Sequence, residues 1–199
     1  MGVEVTRKHF TSSNIYSMTN KQQTVYAFID SQNLNLGTSK EIFRNGRVIY
    51  TGWHLDFKKF YNFLADKYRV SKTFLFIGYI HKYETLYRIL KSMGYILIFK
   101  PTINDHEGKP KGNVDAELVL HTAAIEFTYY DHAVIVSGDG DFRCLHEFLH
   151  DRGKLKAIVI PNQYSESSLL KEFGKYKIFL NREKEKLELQ DTKNGRRRS

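Results

Sequence analysis

Two kinds of segment alternate through the middle of the chain. Short runs of apolar residues, 25–29 (VYAFI), 73–80 (TFLFIGYI), 95–99 (YILIF), 133–136 (AVIV) and 156–160 (KAIVI), are rich in Val, Ile, Phe and Tyr. Almost no polar residue interrupts them, which is how strands covered on both faces read. Between them lie stretches with apolar residues at helical spacing: 54–69, 82–93, 114–128, 142–152 and 165–173. In the first of these, Leu55, Phe60, Phe63 and Leu64 share a face; in the second, Leu86, Ile89, Leu90 and Met93 do. Gly94 and Gly153 stand where helix C-caps belong. A last short strand is expected at 177–180.

Strands alternating with helices predict an α/β fold, a three-layer α-β-α arrangement around a mainly parallel sheet. Right-handed crossovers wound outward from the first strand in two directions give a strand order near 3-2-1-4-5. The segment 31–53 fits least well. It contains Gly37, Gly46 and Gly52 and reads as a loop, with a small hairpin about Asn45-Gly46.

The chain has 199 residues, enough for one domain with short appendages. No apolar run approaches the roughly 18 residues of a membrane span, and no signal-peptide core is visible, so a soluble, cytoplasmic protein is expected. The single cysteine, Cys144, excludes an internal disulfide. The organisation expected is a flexible arm at 1–23, a folded domain at 24–181 and a basic tail at 182–199 ending in three arginines. The net charge is +9, about half of it in the two ends, and favours a polyanionic partner.

Four acidic residues fall where strands end and helices begin. Asp30 ends the first strand, Asp115 opens the third helix, and Asp139 and Asp141 follow the fourth strand in SGDGDF. A fold of this kind gathers them on one sheet edge, and Asp30 and Asp139 flank the switch point where such sheets bind ligands. Crowded carboxylates repel one another unless a cation is present. An all-oxygen set suits Mg²⁺ or Mn²⁺ rather than zinc, and such an ion activates water for attack on a phosphodiester. Plainer roles exist for each: Asp141 as a helix N-cap, Asp115 in a first helical turn, Asp139 in a glycine turn. Asp30 is the hardest to dismiss, because an acid directly after a buried strand needs a partner.

Asn33 and Ser137 are candidates to bind substrate or merely to shape their own turns. Lys111 and Arg143 are candidates to hold a phosphate, with solvated surface charge as the alternative. Cys144 reads as packing, and His146 and His150 as surface residues, since no compact zinc spacing links the histidines to a cysteine.

These residues resemble the NYN domain, a branch of the PIN-like nuclease superfamily, and its LabA-like group in particular. The motifs are Phe28-Ile29-Asp30 with Asn33-Leu34, Lys111-Gly112 with Asp115 and Leu118, and Ser137-Gly138-Asp139-Gly140-Asp141-Phe142. The resemblance spans about residues 24–181. It implies a metal-dependent ribonuclease site in which Asp30, Asp115, Asp139 and Asp141 form the acidic constellation and Asn33 is an accessory group. Two positions depart from the pattern: His121 and Gly174 stand where relatives carry Asp.

The expectation is therefore an endoribonuclease with a Mg or Mn cofactor and RNA as partner, and no membrane. The alternatives are an RNA-binding regulatory module with a degenerate site and a metal-dependent phosphohydrolase of small substrates. A homodimer is left open.

Overall fold

A computed structural model describes residues 22–100, 103–104, 110–111 and 114–190, without side chains for the two short pieces or for Val114. The expected arm 1–23, apart from its last two residues, and the tail beyond Gln190 lie outside the described residues. Six strands form one sheet: β1 (Val25–Asp30), β4 (Val70–Gly78), β5 (Tyr95–Lys100), β8 (His132–Val136), β9 (Leu155–Ile160) and β10 (Lys177–Phe179). Their order is β10-β9-β8-β1-β4-β5, and every neighbouring pair is parallel. This is the expected 3-2-1-4-5 order with the short sixth strand added at one edge.

All six residues of β1 are buried, because it lies at the centre with helices on both faces. On one face, Ala27, Ile29, Val134 and Val136 pack against Leu34, Phe60, Leu64 and Leu90. These belong to α1 (Ser31–Ser39), α2 (Phe57–Tyr68) and α3 (Glu84–Ser92). On the other face, Tyr26, Phe28, Phe74 and Ile135 meet Leu118, Leu145 and Leu149, from α4 (Val114–Leu120) and α5 (Arg143–Asp151). The short helix α6 (Lys184–Leu187) closes the first face through Leu187. No helix among the described residues is long and apolar enough to cross a membrane.

Three local readings need correction. Residues 31–39, expected in a loop, form α1, which begins with no intervening loop at the end of β1. Residues 165–173 are not an α-helix: a 3₁₀ segment runs over Ser168–Tyr176. The helix expected over 114–128 is α4 followed by a π-turn at His121–Ile125.

The hairpin does form, from β2 (Ile42–Arg44) and β3 (Arg47–Tyr50). Asn45 and Gly46 take φ values of 51° and 74°, the left-handed pair that a two-residue turn between twisted strands requires. A second pair, β6 (Ile103–Asn104) and β7 (Pro110–Lys111), is antiparallel.

Candidate active site

β1 is flanked by β8 on one side and β4 on the other, and the two halves of the sheet wind away from it in opposite directions. The carboxyl ends of β1 and β8 therefore bound the crevice in which ligands bind in such sheets. A pocket of about 730 Å³ opens there, lined by Asp30, Asn33, Asp115 and Asp139 among others.

Asp30 sits at the junction of β1 and α1, and one of its carboxylate oxygens accepts the backbone N–H groups of Gln32 and Asn33, each at 3.0 Å. It is the N-cap of α1 and also lines the pocket. It is only 5% exposed. Burial pushes its pKa above the usual carboxylate range, and the charges of Asp115 and Asp139 push it the same way, against the pull of the two N–H donors. Asp115 and Asp139, distant in sequence, are thus electrostatic neighbours of Asp30.

Asp139 rather than Asp141 caps the turn after β8, its carboxylate accepting the Asp141 N–H at 3.0 Å. Asp141 is exposed and does not line the pocket. Ser137 is fully buried and its hydroxyl accepts the Asp139 N–H at 3.1 Å, so it shapes its own turn. Asn33 spans the switch point: its side-chain oxygen accepts the Gly138 N–H at 2.9 Å. That bond ties α1 to the β8 turn and sets Asp30 and Asp139 relative to each other. Gly140 is held close on the far side, where a Cβ would stand 2.3 Å from the Ser167 hydroxyl.

Replacing Asn33 by Leu is expected to leave the Gly138 N–H without its partner. The cost should be about 1–3 kcal/mol of stability, because Asp139 also loses its tether to the first-strand end. Denaturant titration checks this; an unchanged unfolding midpoint would remove Asn33 from the scaffold.

The expected phosphate-holding pair fares unevenly. Arg143 is engaged elsewhere, its guanidinium 2.7 Å from Glu172 and 2.8 Å from Glu147, and it does not line the pocket. The Glu172 partner lies 29 residues away, which no local pattern reveals. Lys111 lies in β7, and its side chain is outside the described residues. Lys40, which sequence reasoning missed, does line the pocket. A lysine just past α1 was invisible while 31–53 read as a loop.

Two other expectations are corrected, those for Cys144 and His146. Cys144 is exposed rather than packed. His146 is fully buried, with no partner for either ring nitrogen, whereas His150 is exposed. His121 turns its ring towards Phe76, with centroids 5.5 Å apart, so it stands outside the carboxylate group. Gly174 faces open space on the 3₁₀ segment.

Among the described residues, no three acidic, histidine or cysteine side chains converge tightly enough to make a ready-formed metal cluster. The donor set nevertheless fits a hard cation. Four carboxylates, Asp30, Glu41, Asp115 and Asp139, line one crevice, and burial, reinforced by the charges of Asp115 and Asp139, makes Asp30 resist ionisation, a charge excess that a divalent ion relieves. Mg²⁺ usually keeps several of its waters and takes only one or two carboxylates directly.

Comparison with known proteins agrees with this architecture. No curated protein matches the chain. A crystal structure of a protein of unknown function, VPA0982, from Vibrio parahaemolyticus superposes with a TM-score of 0.66 at 20% identity. The match covers 86% of this chain and all of that one, and shows a shared fold. The family model of the NYN domain matches residues 24–180. With a strand order, switch-point crevice and acidic triplet of this kind, and a family match across most of its length, the chain belongs to the NYN domain family, within the PIN-like nuclease superfamily.

Proposed function

We propose that the protein is a metal-dependent endoribonuclease. The observation that carries this reading is the meeting of Asp30, Asp115 and Asp139 at the switch-point crevice, with the pKa of Asp30 raised by its burial and further by the other two. Membership of a nuclease superfamily supports the same chemistry.

Asp30, Asp115 and Asp139 would hold a Mg²⁺ or Mn²⁺ ion, with Asp141 the next acid along the chain from Asp139. Bound there, the ion would lower the pKa of a water and offset charge on the phosphodiester. The chain's own residues supply the rest. Asp30 must be ionised to serve, and its raised pKa in the metal-free protein makes a proton a competitor of the ion there, so metal binding weakens on acidification. Asn33 and Ser137 fix the backbone that carries Asp139. Lys40 brings a positive charge to a pocket otherwise dominated by carboxylates, offsetting their repulsion of a phosphate.

Incubation of the purified protein with mixed single-stranded and structured RNAs tests the proposal. Internal cleavage is expected with Mn²⁺ or Mg²⁺ and is expected to vanish in EDTA. Either ion should also raise the melting temperature of the metal-free protein at millimolar concentration, by mass action on the folded state. RNA that stays intact under all three conditions, with no thermal shift, would sink the reading and leave an RNA-binding module.

A further inference from the structure

The pocket is larger than the carboxylates require. A cation with six waters occupies roughly 180 Å³, at about 30 Å³ per water, whereas the pocket encloses about 730 Å³. Much of the remaining lining is apolar: Leu36 on α1, Ile42 and Phe43 on the β2–β3 hairpin, and Tyr164 after β9. Phe43 is 61% exposed and Tyr164 42% exposed. Exposed rings occur elsewhere on this surface, but these two line the same crevice as the carboxylates, where a ligand held by the acids would meet their faces.

The hairpin carries a second oddity. Arg44 and Arg47 sit directly opposite each other across the ladder, next to the Asn45-Gly46 turn. Like charges in that position destabilise a hairpin. Both are exposed, and neither forms an ion pair with a carboxylate among the described residues. The cost is offset once a polyanion lies along the strand pair.

We propose that the hairpin is a reader of unpaired nucleotides. Phe43, with Tyr164, forms the wall on which a base beside the scissile phosphate stacks, and Arg44 and Arg47 hold the backbone that leads to it. The occupant is single-stranded RNA, the choice of RNA resting on the nuclease reading above. A duplex keeps its base faces stacked internally and offers a ring such as Phe43 nothing to pack on. An aromatic wall with adjacent cations is the chemistry by which proteins hold single strands without reading sequence. The same pocket thus has a carboxylate part for the phosphodiester and an aromatic part for the base.

The test is binding of a fluorescently labelled single-stranded RNA, and of the same sequence as a duplex, to the full chain in EDTA, where no cleavage intervenes. The wild type should bind the single strand more tightly. Phe43→Ala should weaken single-strand binding about tenfold and leave duplex binding unchanged, while Phe43→Trp should retain it. Arg44→Ala with Arg47→Ala should weaken both and lower the single-strand slope of log K against log[salt] by about 1.4. Equal single-strand affinity for wild type and Phe43→Ala overturns the proposal. So does an equal loss on both RNAs, an unchanged salt slope in the double variant, or no RNA binding at all. A protein that shows the expected binding pattern but cleaves nothing with Mn²⁺ or Mg²⁺ would refute the nuclease reading and support this one.

Discussion

Asp30→Asn is expected to reduce RNA cleavage by about 100-fold or more while making the metal-free protein more stable at neutral pH. The rate loss follows from removing a charge and a hard oxygen ligand. About 2.7 kcal/mol of lost transition-state stabilisation is enough for that factor. The fold should survive, because Asn is as good an N-cap as Asp and its side-chain oxygen can still accept the Gln32 and Asn33 N–H groups that Asp30 accepts. The gain in stability has a definite sign. Burial and the neighbouring Asp115 and Asp139 raise the folded-state pKa of Asp30 above its unfolded value. Folding therefore favours the protonated form; the favourable contribution is complete below the unfolded pKa and is lost as pH rises through the folded one. At neutral pH the wild type carries this penalty and the Asn variant does not. Melting curves of the two metal-free proteins should separate at pH 7 and converge in acid. A variant that cleaves at the wild-type rate would move the chemistry away from β1. One that melts lower at neutral pH would show that the carboxylate is a net structural asset.

A second large effect is expected at His146. Its ring is buried on α5 beside Phe173, with centroids 5.5 Å apart, and neither nitrogen has a protein partner. Desolvation pushes its pKa down to about 4. Above the ordinary histidine value both folded and unfolded states are neutral and nothing depends on pH. Between there and about pH 4 the unfolded chain takes up a proton that the folded protein refuses. Over that interval the shift removes about 3 kcal/mol of stability. His146→Leu, of similar size and without the ring nitrogens, should abolish that part of the acid sensitivity. The measurement is the urea midpoint of both proteins between pH 7 and 4. The variant should stay ahead by a margin that widens as pH falls; parallel curves would mean that the ring finds a polar partner when it protonates.

Much of the fold was legible because of where the sheet lies. Strands buried on both faces, such as β1 and β9, carry polar residues only near an end, Asp30 in β1 and Lys156 in β9, so the rest of each stands out as an apolar run. The hairpin was legible for a different reason: Asn-Gly is among the few pairs that accept two left-handed residues in succession, a property of the local backbone. By contrast, α1 was hidden. Its sequence, SQNLNLGTS, is poor in strong helix formers and offers only Leu34 and Thr38 to the core. What makes it helical is the cap from Asp30 and the packing of Leu34 beneath it, and both depend on β1 already being in place. Missing α1 also meant missing Lys40 and the apolar lining of the crevice.

The assignments within the site divide along the same line. That acids punctuate the strand ends is a property of the sequence alone, and so is the class of ligand that carboxylates in such a crevice attract. Which acid does what was decided in three dimensions. GDGDF offers two caps two residues apart, and only the folded turn selects Asp139 and leaves Asp141 exposed. Arg143 looked available for a phosphate until a glutamate 29 residues away claimed it. His146 and His150 share one helical spacing, yet one is buried and the other exposed, and both meet rings, Phe173 and Tyr176, from a segment much later in the chain. Alternation of apolar and polar residues reports what each stretch requires of its surroundings, and that was sufficient for the elements and their order. Charge pairing, capping and burial at a site depend on distances between residues far apart in the chain, and only the assembled sheet sets those distances.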